Sequence, residues 1–163
     1  MEVMDRISEL KEYYKLQAHP EGGYFCECYT SKAPGSGRPY AGSIYFLLEK
    51  DDVSHFHQID CEEIWYYHEG CGMKITVITE QGVSEYVLGK DIEKGQNVMV
   101  VIPKGAIFAA VNLDSTDYTF VSCVTSPQFT YDGFRLVGKR EIKELCNDVS
   151  DDVLTLAFED DEI

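Results

Sequence analysis

The chain has 163 residues, 44% of them hydrophobic, which suffices for one domain with a buried core and not for two, so residues 1–163 are expected to form one unit. With 29 acidic against 14 basic residues the net charge is -15, which repels phosphate backbones and anionic bilayers and excludes nucleic acid and membrane as partners. The first residues carry no apolar stretch of signal-peptide length and no later run approaches membrane-spanning length, so the expectation is a cytoplasmic protein. Cys26, Cys28, Cys61, Cys71, Cys123 and Cys146 then read as reduced, buried, inert thiols.

Met4, Ile7, Leu10 and Tyr14 recur at spacings of three and four, which predicts an amphipathic helix that ends before His19-Pro20. From there the period shortens to two. Strands are expected at 24–29, 43–48, 54–58, 63–68, 74–79, 84–88, 98–102, 107–111, 118–125 and 134–137, separated by turns such as Gln81-Gly82, Lys94-Gly95 and Asp132-Gly133. Many short strands without crossover helices imply an all-β antiparallel sandwich or barrel with a core at about 16–138. The loop 31–39, rich in Pro, Gly and Ser, reads as a surface segment or a lid. Residues 139–146 read as a helix and 153–158 as an apolar segment that docks on the domain, while the acidic stretch 148–163, which has no basic residue, reads as a solvated or partly frayed terminus.

The segment Ser54-His55-Phe56-His57 places two histidines at i and i+2, on one face of a strand, and Glu63 opens the next run, where it shares a face with Trp65 and Tyr67. Glu62 competes with Glu63 for the inward position, and strand parity favours Glu63. The turn His19-Pro20-Glu21-Gly22-Gly23 offers a second carboxylate, Glu21, opposite Glu63. Tyr45, Trp65, Tyr67 and Phe108 are candidate walls of an apolar pocket with a few convergent polar groups.

His55, His57, Glu63 and Gly70 resemble the first motif of the cupin superfamily. Pro103-Lys104-Gly105-Ala106-Ile107-Phe108, followed by Asn112, resembles the second with Phe108 where that motif has a histidine. A narrower resemblance, carried by Leu16, His19-Pro20-Glu21-Gly22-Gly23-Tyr24-Phe25, Ser43-Ile44-Tyr45-Phe46-Leu47-Leu48, Phe56-His57, Glu63, Trp65, Leu88-Gly89 and Val101-Ile102-Pro103, is to the DUF985 or cupin-5 family and covers about 16–136. The family's closing Ala-Pro-Gly-Phe is Ser126-Pro127-Gln128-Phe129 here, a departure that reads as one of turn rather than site.

The resemblance implies a cupin double-stranded β-helix, or jelly-roll barrel, with short terminal helices, and a homodimer. It implies a small-molecule ligand in the barrel mouth. Three functions follow as expectations. The first is an isomerase or epimerase of a carbohydrate-like or other small polar substrate, with His57 as base, Glu63 adjusting it, Tyr45 or Tyr67 as acid, and Glu21, His55, Trp65 and Phe108 binding ligand. The second is a metal enzyme with the reduced ligand set His55, His57 and Glu63, its divalent metal weakly held or absent because Phe108 replaces a donor. The third is a binding module without catalysis.

Overall fold

The computed structural model of this chain describes every residue except Met1, Pro34 and Ser36. Helix α1 (Val3–Tyr14) turns Ile7 and Leu10 inward and stops at Lys15, whose left-handed backbone caps it. Among the described residues eleven strands follow: β1 (Gln17–Ala18), β2 (Tyr24–Thr30), β3 (Gly42–Glu49), β4 (Val53–Ile59), β5 (Glu62–Gly70), β6 (Met73–Thr79), β7 (Gly82–Leu88), β8 (Met99–Ile102), β9 (Ile107–Asn112), β10 (Tyr118–Ser126) and β11 (Phe134–Leu136). The chain closes with α2 (Lys139–Leu145) and α3 (Asp151–Leu154). The two-residue β1 is the strand that periodicity did not reveal, because two residues carry no alternation.

The strands form two antiparallel sheets, β1-β2-β3-β10-β5-β8 and β11-β4-β9-β6-β7, so neighbours in space are remote in sequence as in a jelly roll. Between them lies the main core, in which Phe46, Leu48, Trp65, Ile75, Val77, Phe108 and Val121 interdigitate. Each outer face is covered by a smaller cluster. Helix α1 closes Ile7 and Leu10 over Leu47, Tyr118 and Phe120 of the six-stranded sheet. The C-terminal segment lays Ile142, Leu154, Leu156 and Ala157 over Phe56, Ile78, Ile107 and Ala109 of the five-stranded one.

The terminus is therefore not frayed. Gly138 bridges to Phe158, the Phe56 amide donates to the Leu156 carbonyl at 3.0 Å, and Lys139 pairs with Glu159. Burying apolar side chains there outweighs the repulsion among acidic residues that stay on the solvent side. All six cysteines are free thiols, but only Cys61, Cys123 and Cys146 are buried; Cys28 is exposed on β2. The loop reading for 31–39 falls partly on Pro34 and Ser36, which lie outside the described residues; at its end Arg38 donates to the Gln128 carbonyl at 2.7 Å and pairs with Asp60 at 3.0 Å. No described helix is long and apolar enough to cross a membrane.

Candidate functional site

The turn between β1 and β2 carries the first part of the site. Gly22, at φ +111°, has the Val53 carbonyl where a Cβ would stand, at 1.9 Å, so the turn can lie flat against β4 only with glycine there. That approach lets the Glu21 carbonyl accept from both the amide and the Nδ1–H of His55, each at 2.8 Å. The Glu21 side chain is thereby thrown into the barrel, where it is 6% exposed.

Strand β4 carries a bulge. Ser54 pairs with Ala110 and His57 with Phe108, so three steps on β4 match two on β9. The extra residue puts both Ser54 and His57 inside. Ser54 Oγ donates to Glu21 Oε2 at 2.7 Å, and His57 Nε2 meets the same oxygen at 2.8 Å. His57 Nδ1 lies 2.7 Å from the His55 carbonyl, an acceptor only, so Nδ1 carries a proton and donates it. Burial alone would strip the second proton from His57, but the Glu21 charge and hydrogen bonds reverse that and raise its pKa; the same contact overcomes the burial of Glu21 and lowers its pKa. The pair is imidazolium and carboxylate, enclosed by protein.

Glu63 sits at the start of β5, 8% exposed, with Glu62 pointing to solvent as parity requires. Trp65 Nε1–H donates to one of its oxygens. Burial, then repulsion from Glu21, push the Glu63 carboxyl up to about 7 despite the attraction of His57. His19 completes the group: its Nδ1 accepts from the Glu21 amide at 3.2 Å and stands 3.3 Å from Glu21 Oε1, while burial among Phe25, Phe129, Tyr131 and Phe134 lowers its pKa and keeps it neutral.

His19, Glu21, His57 and Glu63 line one cavity, which together with the solvent space at its mouth measures about 550 Å³, at the end of the sandwich where β4 finishes and β5 begins. Its walls are Phe25, Ile44, Phe129 and Phe134, with Glu27, Tyr29, Thr30 and Gln128 toward the mouth. Gln128 thus belongs to the site, and the segment 126–129 is more than a turn; its Nε2 reaches Thr30 Oγ1 at 3.1 Å.

Several expected positions differ. His55 does not share a face with His57, because the bulge inserts a residue between them; its ring stacks on Phe158 with centroids 3.8 Å apart, outside the barrel. Tyr45 alternates outward from Ile44 and Phe46 and packs against Tyr14 and Phe120 under α1, so it reaches no group of the site. Tyr67 shares the inward face with Glu63 but lies four residues, about 13 Å, further along the strand, and its hydroxyl donates to the Gly70 carbonyl at 2.6 Å. Trp65 and Phe108 are 2% and 1% exposed and lie behind the site rather than on its wall: Trp65 orients Glu63, and the Phe108 ring stands 4.2 Å from that of His57. His19 was not foreseen as a site residue, since a histidine before proline in a turn carries no signal of its direction; its place two residues before Glu21 was the available clue.

A model of the cupin superfamily (DUF985) matches residues 8–137. This chain belongs to that family. Protein SO0799 from Shewanella oneidensis, solved by crystallography, is 30% identical and superposes with a TM-score of 0.89, over 98% of this chain and 100% of that one. A hypothetical protein from Leishmania major is 28% identical with a TM-score of 0.84, over 93% and 98% of the two chains. The uncharacterised yeast protein YML079W from Saccharomyces cerevisiae is 27% identical over 161 aligned residues, 85% of this chain and 79% of its own. Oxalate decarboxylase of Bacillus subtilis, at 16% identity and a TM-score of 0.57, shares the fold alone.

Cupins often bind metals, and the donors of this member do not fit one in the expected way. His55 faces out, Phe108 supplies no donor, and both nitrogens of His57 are engaged, one by a carbonyl and one by Glu21. Among the described residues no three His, Cys, Asp or Glu side chains converge as metal ligands.

Proposed function

We propose that this cupin is an enzyme that moves a proton on a small polar molecule, an isomerisation or epimerisation next to a carbonyl group, with Glu63 as the exchanging acid–base. What supports this reading is the Glu63 carboxyl, buried yet lining an aromatic-walled cavity and pushed up to about 7 by burial and by Glu21, which suits it both to take and to return a proton. His57 is assigned a different role from that of base. With both N–H groups committed, to the His55 carbonyl and to Glu21, it takes no proton from the substrate and instead holds the Glu21 carboxylate in place beside Glu63. Tyr45 and Tyr67 take no part, and a homodimer remains part of the proposal through the family resemblance alone.

Solvent deuterium incorporation tests this directly. Small aldoses, ketoses and amino ketones incubated with the protein in D2O should exchange the hydrogen next to the carbonyl, seen by proton NMR, and Glu63→Gln should slow that exchange at least about 1,000-fold. A ligand that binds in the cavity with no exchange would instead support the reading as a binding module, which the full occupation of both His57 nitrogens favours.

A further inference from the structure

We infer that the ligand of this cavity is a small organic cation, an amine or ammonium group carried on an apolar body, and that carboxylates and phosphates are rejected. The inference rests on the acid–base reading of the same site and adds the charge of the substrate.

The first argument is a count of buried charge. Two carboxylates, Glu21 and Glu63, enter the cavity with one partner of opposite sign, His57, since His19 accepts a hydrogen bond through Nδ1 and is neutral. The interior is short of one positive charge. A bound cation set between the two carboxylates makes up the deficit.

Among the described residues nothing else at the site supplies that charge. No lysine or arginine lines the cavity, and the charged side chain nearest its mouth is Glu27, a third carboxylate. The other titratable groups set around Glu63 are Cys61, which precedes β5, and Cys123 of β10; burial raises both thiols, so they stay neutral. Arg38 is committed to Asp60 and the Gln128 carbonyl, and Arg135 to Glu141. An anionic ligand would meet only carboxylates and an imidazolium already paired.

The walls agree with this sign. Phe25, Phe129 and Phe134 line the cavity, and the Phe129 and Phe134 rings meet edge to face at 66° with centroids 5.8 Å apart. Aromatic faces carry partial negative charge and attract an ammonium group while accepting the apolar body that bears it.

Three probes of one shape separate the outcomes: benzylammonium, benzyl alcohol and benzoate, titrated into the wild-type protein at pH 7.5 by calorimetry. Benzylammonium is expected to bind about ten-fold more tightly than the alcohol, and benzoate more weakly than either. Glu63→Gln should reduce the preference for the cation over the alcohol to about two-fold or less. Alcohol or benzoate binding as tightly as the cation overturns the inference and leaves the acid–base role of Glu63 standing, as does failure of all three to bind at millimolar concentration. A Glu63 carboxyl that titrates in the ordinary range overturns the underlying reading itself.

Discussion

His57 and Glu63 are both buried, both ionisable and within one cavity, yet removing each has an opposite effect on stability. His57→Ala leaves Glu21 as a carboxylate in the interior with Ser54 and its own turn for partners, and loss of one member of a buried pair costs about 3–5 kcal/mol. Chemical denaturation near pH 6 should register a loss of that size. That pH matters: His57, with its pKa raised, contributes fully below its unfolded value and loses the contribution as pH rises through the folded one, whereas Glu21, with its pKa lowered, contributes above its unfolded value and loses it as pH falls. The pair is at full strength between about 4.5 and 6.5. Glu63 runs the other way from Glu21. Its folded pKa of about 7 lies above its unfolded one, so the native state holds the extra proton and stability declines as pH rises through neutrality. Glu63→Gln, which keeps an acceptor for Trp65, should therefore be more stable than the wild type by roughly 2–3 kcal/mol at pH 8 and nearly equal at pH 4.5; equal denaturation midpoints at pH 8 would contradict a raised Glu63.

At the scale of elements, the strands were legible because a half-buried sheet writes its pleat into the sequence, and the parity that favours Glu63 over Glu62 agrees with a strand that buries Glu63 and exposes Glu62. Parity misplaced His55 for a physical reason. A bulge resets the alternation without leaving a composition signal when the extra residue is as ordinary as those in Ser54-His55-Phe56-His57. Tyr45 was misread differently: on a strand covered on both faces, apolar residues point both ways, and only the docking of α1 tells which side Tyr45 takes. In the C-terminal segment the apolar residues of 153–158 mark the side that docks, while the acidic residues mark only the solvent side and read by themselves as a frayed end. Ile142 of α2 is fully buried against Val137 and the outer face of β9. Ile142→Ala should cost about 2–5 kcal/mol in denaturant unfolding, a loss that a loosely attached extension would not produce.

The molecule is a two-sheet frame whose two outer faces are covered by the chain ends, leaving one end of the sandwich open. The covering segments bear on the site as well as on stability. The ring of His55 stacks on Phe158 from the C-terminal segment while its Nδ1–H and amide hold the Glu21 carbonyl, and the His55 carbonyl accepts from His57. Backbone and side chains thus close a loop from Glu21 through His55 and His57 back to Glu21, which fixes an ion pair in a place where water cannot relax around it. Family membership could be read from the sequence because glycine turns and strand spacings recur at fixed intervals; the state of Glu63 could not, because it depends on how Glu21, His57 and Trp65 meet across three elements. The carboxyl carbon of Glu63, followed by 13C NMR in protein labelled at glutamate and assigned with Glu63→Gln, tests this account most directly. A titration midpoint near 7 is the expected result; a midpoint near 4.5, that of an ordinary glutamate, would contradict it.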